Sequence, residues 1–84
     1  MYKLRYEEAV ESVWDSLPDA ARAELDDVLP VVCKDPWGRT EPRSEDDPRD
    51  VRRTLTLKHT TLALLIMDGP PVQRVYIRHI DYLG

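Results

Sequence analysis

A set of side chains in the C-terminal half has the types needed to bind and cut a phosphodiester: Arg52, Arg53, Lys58, Arg78, His79 and Tyr82. Cleavage of RNA by attack of its own 2′-hydroxyl needs a base for that hydroxyl, a cation for the added phosphate charge and an acid for the leaving 5′-oxygen. Histidine is the side chain whose ordinary pKa lies near neutrality, so His79 is the candidate base or acid. Arg52 and Arg53 could hold the phosphate in a forked geometry, with Arg78 and Lys58 as further substrate contacts. Tyr82 could stack on or orient a base. The same residues have an ordinary reading beside this one. His79 would then be a solvated strand residue, Tyr76 and Tyr82 would pack over a sheet edge, and the arginines would pair with acids from residues 41–50.

Other chemistries find no support. Gly38, Gly69 and Gly84 are isolated, so there is no phosphate-cradling loop, and neither a paired-histidine helix motif nor a calcium loop occurs. His59 and His79 with one cysteine make a poor zinc set, even with Asp81 near His79, so no metal and no cofactor is expected. Cys33, on an apolar helical stretch, reads as a core residue rather than a nucleophile. As the lone cysteine it excludes an internal disulfide and suits a reducing, cytoplasmic setting. Membrane association is not expected. The longest apolar run, Leu62 to Met67, is far short of the roughly 18 residues of a span, and Glu7, Glu8 and Glu11 fall where a secretory signal would be apolar.

The 84 residues suffice for one domain, 1–84, and carry a net charge of −4 that is unevenly spread. Acids dominate residues 1–33. From residue 49 onward the balance reverses, with Arg49, Arg52, Arg53, Lys58, Arg74 and Arg78 against Asp50, Asp68 and Asp81. An acidic chain is a poor non-specific ligand for nucleic acid, but its C-terminal third could form a local basic face on an acidic body.

The elements that must position these groups follow from periodicity. Lys3-Leu4-Arg5-Tyr6 alternates like a short strand. Val10, Val13, Trp14 and Leu17 form the apolar stripe of a helix over 7–17, and Ala21, Leu25, Val28, Leu29 and Val32 form a second after the break at Leu17-Pro18. Pro30 either ends that helix near Leu29 or kinks it, and the apolar Val31, Val32 and Cys33 favour continuation toward Lys34, with Asp35-Pro36 as the stop. Residues 36–50 show no apolar period and read as a loop, with Trp37 anchoring it onto the helices. From Val51 the period becomes two. A strand through Leu55 and Leu57, a turn at 58–60, a nearly all-apolar central strand Thr61–Met67, a turn at Asp68-Gly69-Pro70-Pro71 and a last strand running to Leu83 complete the chain. The expected fold is an α+β domain of order β-α-α-β-β-β, with an N-terminal helical hairpin on one face of a small, mainly antiparallel sheet. Val75 and Ile77 should face the helices.

On four features the chain resembles the RelE/ParE superfamily of bacterial type II toxins. These are the opening strand Lys3–Tyr6, the first helix with its Leu17-Pro18 junction, the second helix closing in Lys34-Asp35-Pro36-Trp37, and a strand from Arg52 leading through a hairpin to a closing strand near Tyr82. The resemblance implies a toxin neutralised by a cognate antitoxin, acting either as a ribosome-dependent mRNA endoribonuclease or as a gyrase inhibitor. It implies that Arg52 or Arg53 matches an arginine at the start of the second strand, that Arg78 and His79 match a basic or histidine position on the last strand, and that Tyr82 matches a C-terminal tyrosine. The chain departs from the pattern in its acidity, in the acids rather than lysines of 36–50, and in Thr61, where RNA-cleaving members often carry an arginine.

Two functions therefore stand side by side. One is an mRNA interferase using His79, Arg52, Arg53 and Tyr82, with the ribosome and message as partners. The other is a non-enzymatic protein-binding module. For either, Leu62–Met67 and the groove beside the helices are the surfaces on which a homodimer or an antitoxin helix would be expected.

Overall fold

Two periodicities divide the chain into a helical layer and a sheet, and the computed structural model, which describes residues 1–69 and 71–84, shows how they meet. In order the elements are β1 (Lys3–Tyr6), α1 (Glu8–Ser16), α2 (Asp19–Lys34), α3 (Pro36–Arg39), β2 (Glu41–Pro42), β3 (Arg52–Thr56), β4 (Thr60–Gly69) and β5 (Val72–Tyr82). The strands form one mixed sheet in the order β1-β5-β4-β3-β2, with β1 parallel to β5 and the other pairs antiparallel. This is a small α+β domain. The expected turn at 68–71 includes Pro70, which lies outside the described residues.

One face of the sheet is covered by α1 and α2. Val10, Leu17, Ala21, Leu25, Leu29 and Val32 from the helical side pack with Leu55, Leu62, Leu64, Val75, Ile77 and Ile80 from the strands. Val75 and Ile77 face the helices, as their alternation predicts, and both are fully buried. Val13 departs from its predicted stripe: it lies at the margin of α1 and is exposed. The second helix runs through Pro30 to Lys34. Pro30 cannot donate to the Asp26 carbonyl, but both residues are exposed, so that carbonyl can turn to water.

The nearly all-apolar run of the central strand predicts cover on both faces or at a dimer side, and the two faces differ in cover. Leu62, Leu64 and Ile66 are buried, whereas Ala63, Leu65 and Met67 on the other face are only half-covered. The run is therefore an alternating strand with its strongest apolar residues already used in the core.

Residues 36–50 also depart from the reading as a plain loop. Asp35 ends α2 and caps α3, accepting from the Gly38 amide at 3.2 Å. A Cβ at Gly38 would sit 2.9 Å from Asp35 Cγ and closer still to its Oδ2, so a side chain there would displace the capping carboxylate. β2 then pairs with β3 through Glu41↔Thr54 and Pro42↔Arg53.

What organises the segment is Arg53, only 4% exposed. Its Nε donates to Thr40 Oγ1 at 2.9 Å, one terminal nitrogen donates to the carbonyls of Pro48 (3.0 Å) and Asp50 (3.5 Å), and the other to those of Trp37 (3.1 Å) and Thr40 (2.7 Å). A guanidinium has five N–H donors, and each meets an acceptor here. The Trp37 ring lies beneath the same group, 5.2 Å from centroid to Cζ. The Trp37 indole also donates to Asp68 at 3.3 Å, so Trp37 is anchored on the sheet rather than on the helices.

Removing the guanidinium takes a donor from two buried and two part-buried carbonyls. Arg53→Ala is expected to lower unfolding free energy by about 3 kcal/mol, and Arg53→Lys by less because an ammonium supplies only three donors. Urea titration measures this, and limited trypsin digestion should show faster cutting at Arg39, Arg43 and Arg49 in the variant. An Arg53→Ala protein as stable as wild type would show that the loop does not depend on this side chain.

Candidate functional site

Among the described residues, no helix covers the other face of the sheet. Strand alternation places Arg52, Thr54 and Thr56 of β3, Thr61, Ala63, Leu65 and Met67 of β4, and Arg74 and Tyr76 of β5 on it, with Lys3 and Arg5 at the β1 edge. A shallow depression of about 460 Å³ lies on this face, lined by residues including Arg43, Arg52, Arg53, Thr54, Thr61, Ala63, Arg78, His79 and Asp81.

A β-bulge puts His79 there. Ala63 pairs with His79, but the next residue, Leu64, pairs with Ile77, so Arg78 is an extra residue in β5. Without the bulge, strict alternation from buried Ile77 would turn His79 inward and Ile80 outward. With it, Ile80 enters the core at 3% exposure while His79 and Asp81 share the open face. There His79 Nε2 and Asp81 Oδ1 stand 2.8 Å apart, and both side chains are well exposed.

Across the depression, Arg52 is held by Asp50. The Nε of Arg52 donates to Asp50 Oδ1 at 3.1 Å, a terminal nitrogen donates to Oδ2 at 3.0 Å, and the Arg52 amide donates to Oδ1 at 3.0 Å. The carboxylate is buried whereas the arginine side chain is 56% exposed, so Asp50 works as a bracket beneath a solvent-facing cation. Hydrogen bonds from the Arg52 side chain and then its amide hold the Asp50 carboxyl below the ordinary aspartate range, and the same pair raises the pKa of Arg52. Half of the guanidinium fork remains for another acceptor.

The structure thus brings Arg52, Arg78 and His79 together and adds Arg43 and Asp81 to them. Arg53 also borders the depression, but its guanidinium is turned away from it. It follows Arg52 on the strand and therefore points to the opposite face, where all its donors are engaged. Tyr82 has the parity of Ile80, so it too lies on the helix side of β5, at its exposed end. Lys58 sits in the β3–β4 turn, outside the depression. That turn is fixed by Glu24 of α2, whose carboxylate accepts from the amides of Lys58 (3.2 Å) and His59 (3.0 Å). Asp81 was recognisable in sequence as a neighbour of His79. Arg43 carried no signal, because its place depends on β2 pairing beside β3.

Elsewhere, an apolar groove of about 310 Å³ runs between the helices and β1, lined by Met1, Tyr2, Leu4, Trp14, Leu25, Leu29, Pro30 and Cys33, with Asp26 at its margin. Cys33 is buried, and burial pushes its thiol pKa up, away from nucleophilic character. Among the described residues no cluster of His, Cys, Asp or Glu could hold a metal ion, and no helix is long and apolar enough to cross a membrane. No family model, curated protein or solved structure matches the chain.

The depressed Asp50 pKa has a consequence for stability. Stabilisation by this carboxylate is fully present above the ordinary aspartate pKa of about 4, and is lost as pH falls through the lower folded value. Asp50→Asn should therefore be less stable than wild type near neutral pH, with the gap closing below about pH 4. Unfolding midpoints measured across that range test this, and a gap independent of pH would remove the ion pair as its cause.

Proposed function

We propose that the open sheet face binds the RNA backbone and that the chain is a type II toxin of the RelE/ParE kind, acting as a ribosome-dependent mRNA endoribonuclease. The observation that carries this reading is the joining of His79 and Asp81 in one depression with Arg43, Arg52 and Arg78. A proton acceptor and cations for a phosphate are the groups that 2′-hydroxyl attack needs together.

In this mechanism the arginines hold the scissile phosphate and take up charge as its phosphorus becomes five-coordinate. His79 accepts the 2′-hydroxyl proton while the 2′-oxygen bonds to phosphorus. The bond to the 5′-oxygen breaks, that oxygen takes a proton from water, and a cyclic phosphate and a 5′-hydroxyl remain. Arg53 serves by fixing the loop that carries Asp50, and Tyr82 has no contact with the reacting atoms. The antitoxin of such a pair would have the apolar groove between the helices and β1 as one surface to cover. The ribosome and message are the other partners, and the site of action is the cytoplasm.

A second reading, a protein-binding module without nuclease activity, draws on the placement of Arg53 and Tyr82. These are two of the groups that the resemblance offers for the reaction, and their side chains lie off the open face.

Adding the purified protein to a reconstituted translation reaction with one defined message, then mapping new RNA 5′ ends, separates the two. Cuts confined to ribosome-occupied codons are expected, reduced about 10²-fold or more by His79→Ala and also reduced by the triple change of Arg43, Arg52 and Arg78 to alanine. Wild-type protein that is folded yet leaves the message intact would favour the binding module.

A further inference from the structure

Asp81 is an unexpected residue to find on a face proposed to hold phosphates. A carboxylate there repels the ligand, and nothing in the core requires it, since its side chain is 65% exposed. Its neighbours across the sheet are Thr61 on β4 and, two residues back along β5, His79. Its hydrogen bond is to Nε2 of that histidine.

Resting on the nuclease reading of this face, we infer that Asp81 is a positioning residue for His79. It fixes the ring so that Nδ1, rather than Nε2, is the nitrogen offered to the 2′-hydroxyl. An exposed histidine on a strand can rotate about two side-chain bonds, and a ring free to do so spends little time in one reactive geometry. Accepting a hydrogen bond from Nε2 restrains both rotations and assigns the proton, leaving the Nδ1 lone pair as the acceptor. Residues spaced i, i+2 on a strand share a face, and the bulge at Arg78 turns this pair to the open face rather than into the core.

Opposite effects on binding and rate distinguish this role from a bystander charge. Removing a carboxylate from a phosphate-binding face should strengthen RNA binding, whatever else it does. Removing the group that orients the base should slow cleavage. Asp81→Ala is therefore expected to bind message-programmed ribosomes severalfold more tightly by co-sedimentation. It should also cut about 10- to 100-fold more slowly under single-turnover conditions. Asp81→Asn, whose amide can hold the ring but can also donate to Nε2 and so does not assign the proton, should bind as tightly as Asp81→Ala and cut at a rate between that variant and wild type.

A readout that does not depend on cleavage is the ¹³C relaxation of the His79 ring Cδ2–H. It should report an ordered ring in the wild-type and Asp81→Asn proteins and a mobile one in Asp81→Ala. An Asp81→Ala protein that cuts as fast as wild type, an Asp81→Asn protein as slow as Asp81→Ala, or a ring already mobile in the wild type would each overturn the inference. Wild-type protein that does not cut, but whose ring is ordered through Asp81, would remove the nuclease reading and leave the positioning contact standing.

Discussion

A buried guanidinium with no carboxylate partner is the constraint on which much of this structure turns. Burying an unpaired cation is costly, and Arg53 meets that cost only if all five donors find oxygen. The oxygens come from Trp37, Thr40, Pro48 and Asp50, which are spread along a segment with no apolar period to order it. The segment must therefore wrap around one side chain of β3. Doing so brings β2 against the sheet and sets the chain direction entering Arg52. Arg52 and Arg53 are adjacent and chemically identical, yet alternation assigns one to solvent and the other to the interior.

That division marks the limit of what the sequence discloses. The helices were legible because Val10, Trp14, Leu17, Leu25, Leu29 and Val32 repeat at helical spacing, and the strands because Leu55, Leu62, Leu64, Val75 and Ile77 repeat at two. Even the bulge leaves a trace: the inward residues of β5 are Val75, Ile77 and then Ile80, a step of two followed by a step of three. The order of 36–50 left no such trace, since it comes from carbonyls, which every residue has. The separation of Tyr82 from His79 follows from strand parity, but only once the bulge has been placed.

Charge is partitioned by layer as well as by sequence. Glu8, Glu11, Asp15, Asp19, Asp26 and Asp27 lie on the helices, whereas Lys3, Arg5, Arg43, Arg52, Arg74 and Arg78 belong to the strands and the segment beside β2. A net charge of −4 thus coexists with a cationic sheet face. At distances beyond the Debye length, about 8–10 Å at ordinary salt, neither is felt strongly. Closer in, a polyanion meets attraction on one side of the molecule and repulsion on the other.

The bulge also bears on how such a face can change over time. Point substitution can alter what His79 and Asp81 are, but it cannot easily alter where they point, because that is set by how the strand pairs between Ile77 and Ile80. Loss of Arg78 would leave a regular ladder in which His79 still points outward and Ile80 inward, whereas a strand of unchanged length without the bulge would set a histidine and an aspartate against the helices. What the face cannot tolerate is a β5 of this length that pairs without its bulge. Variation at this face should accordingly accumulate as replacements along β3 and β4, with β5 either keeping its bulge or losing the one residue that makes it.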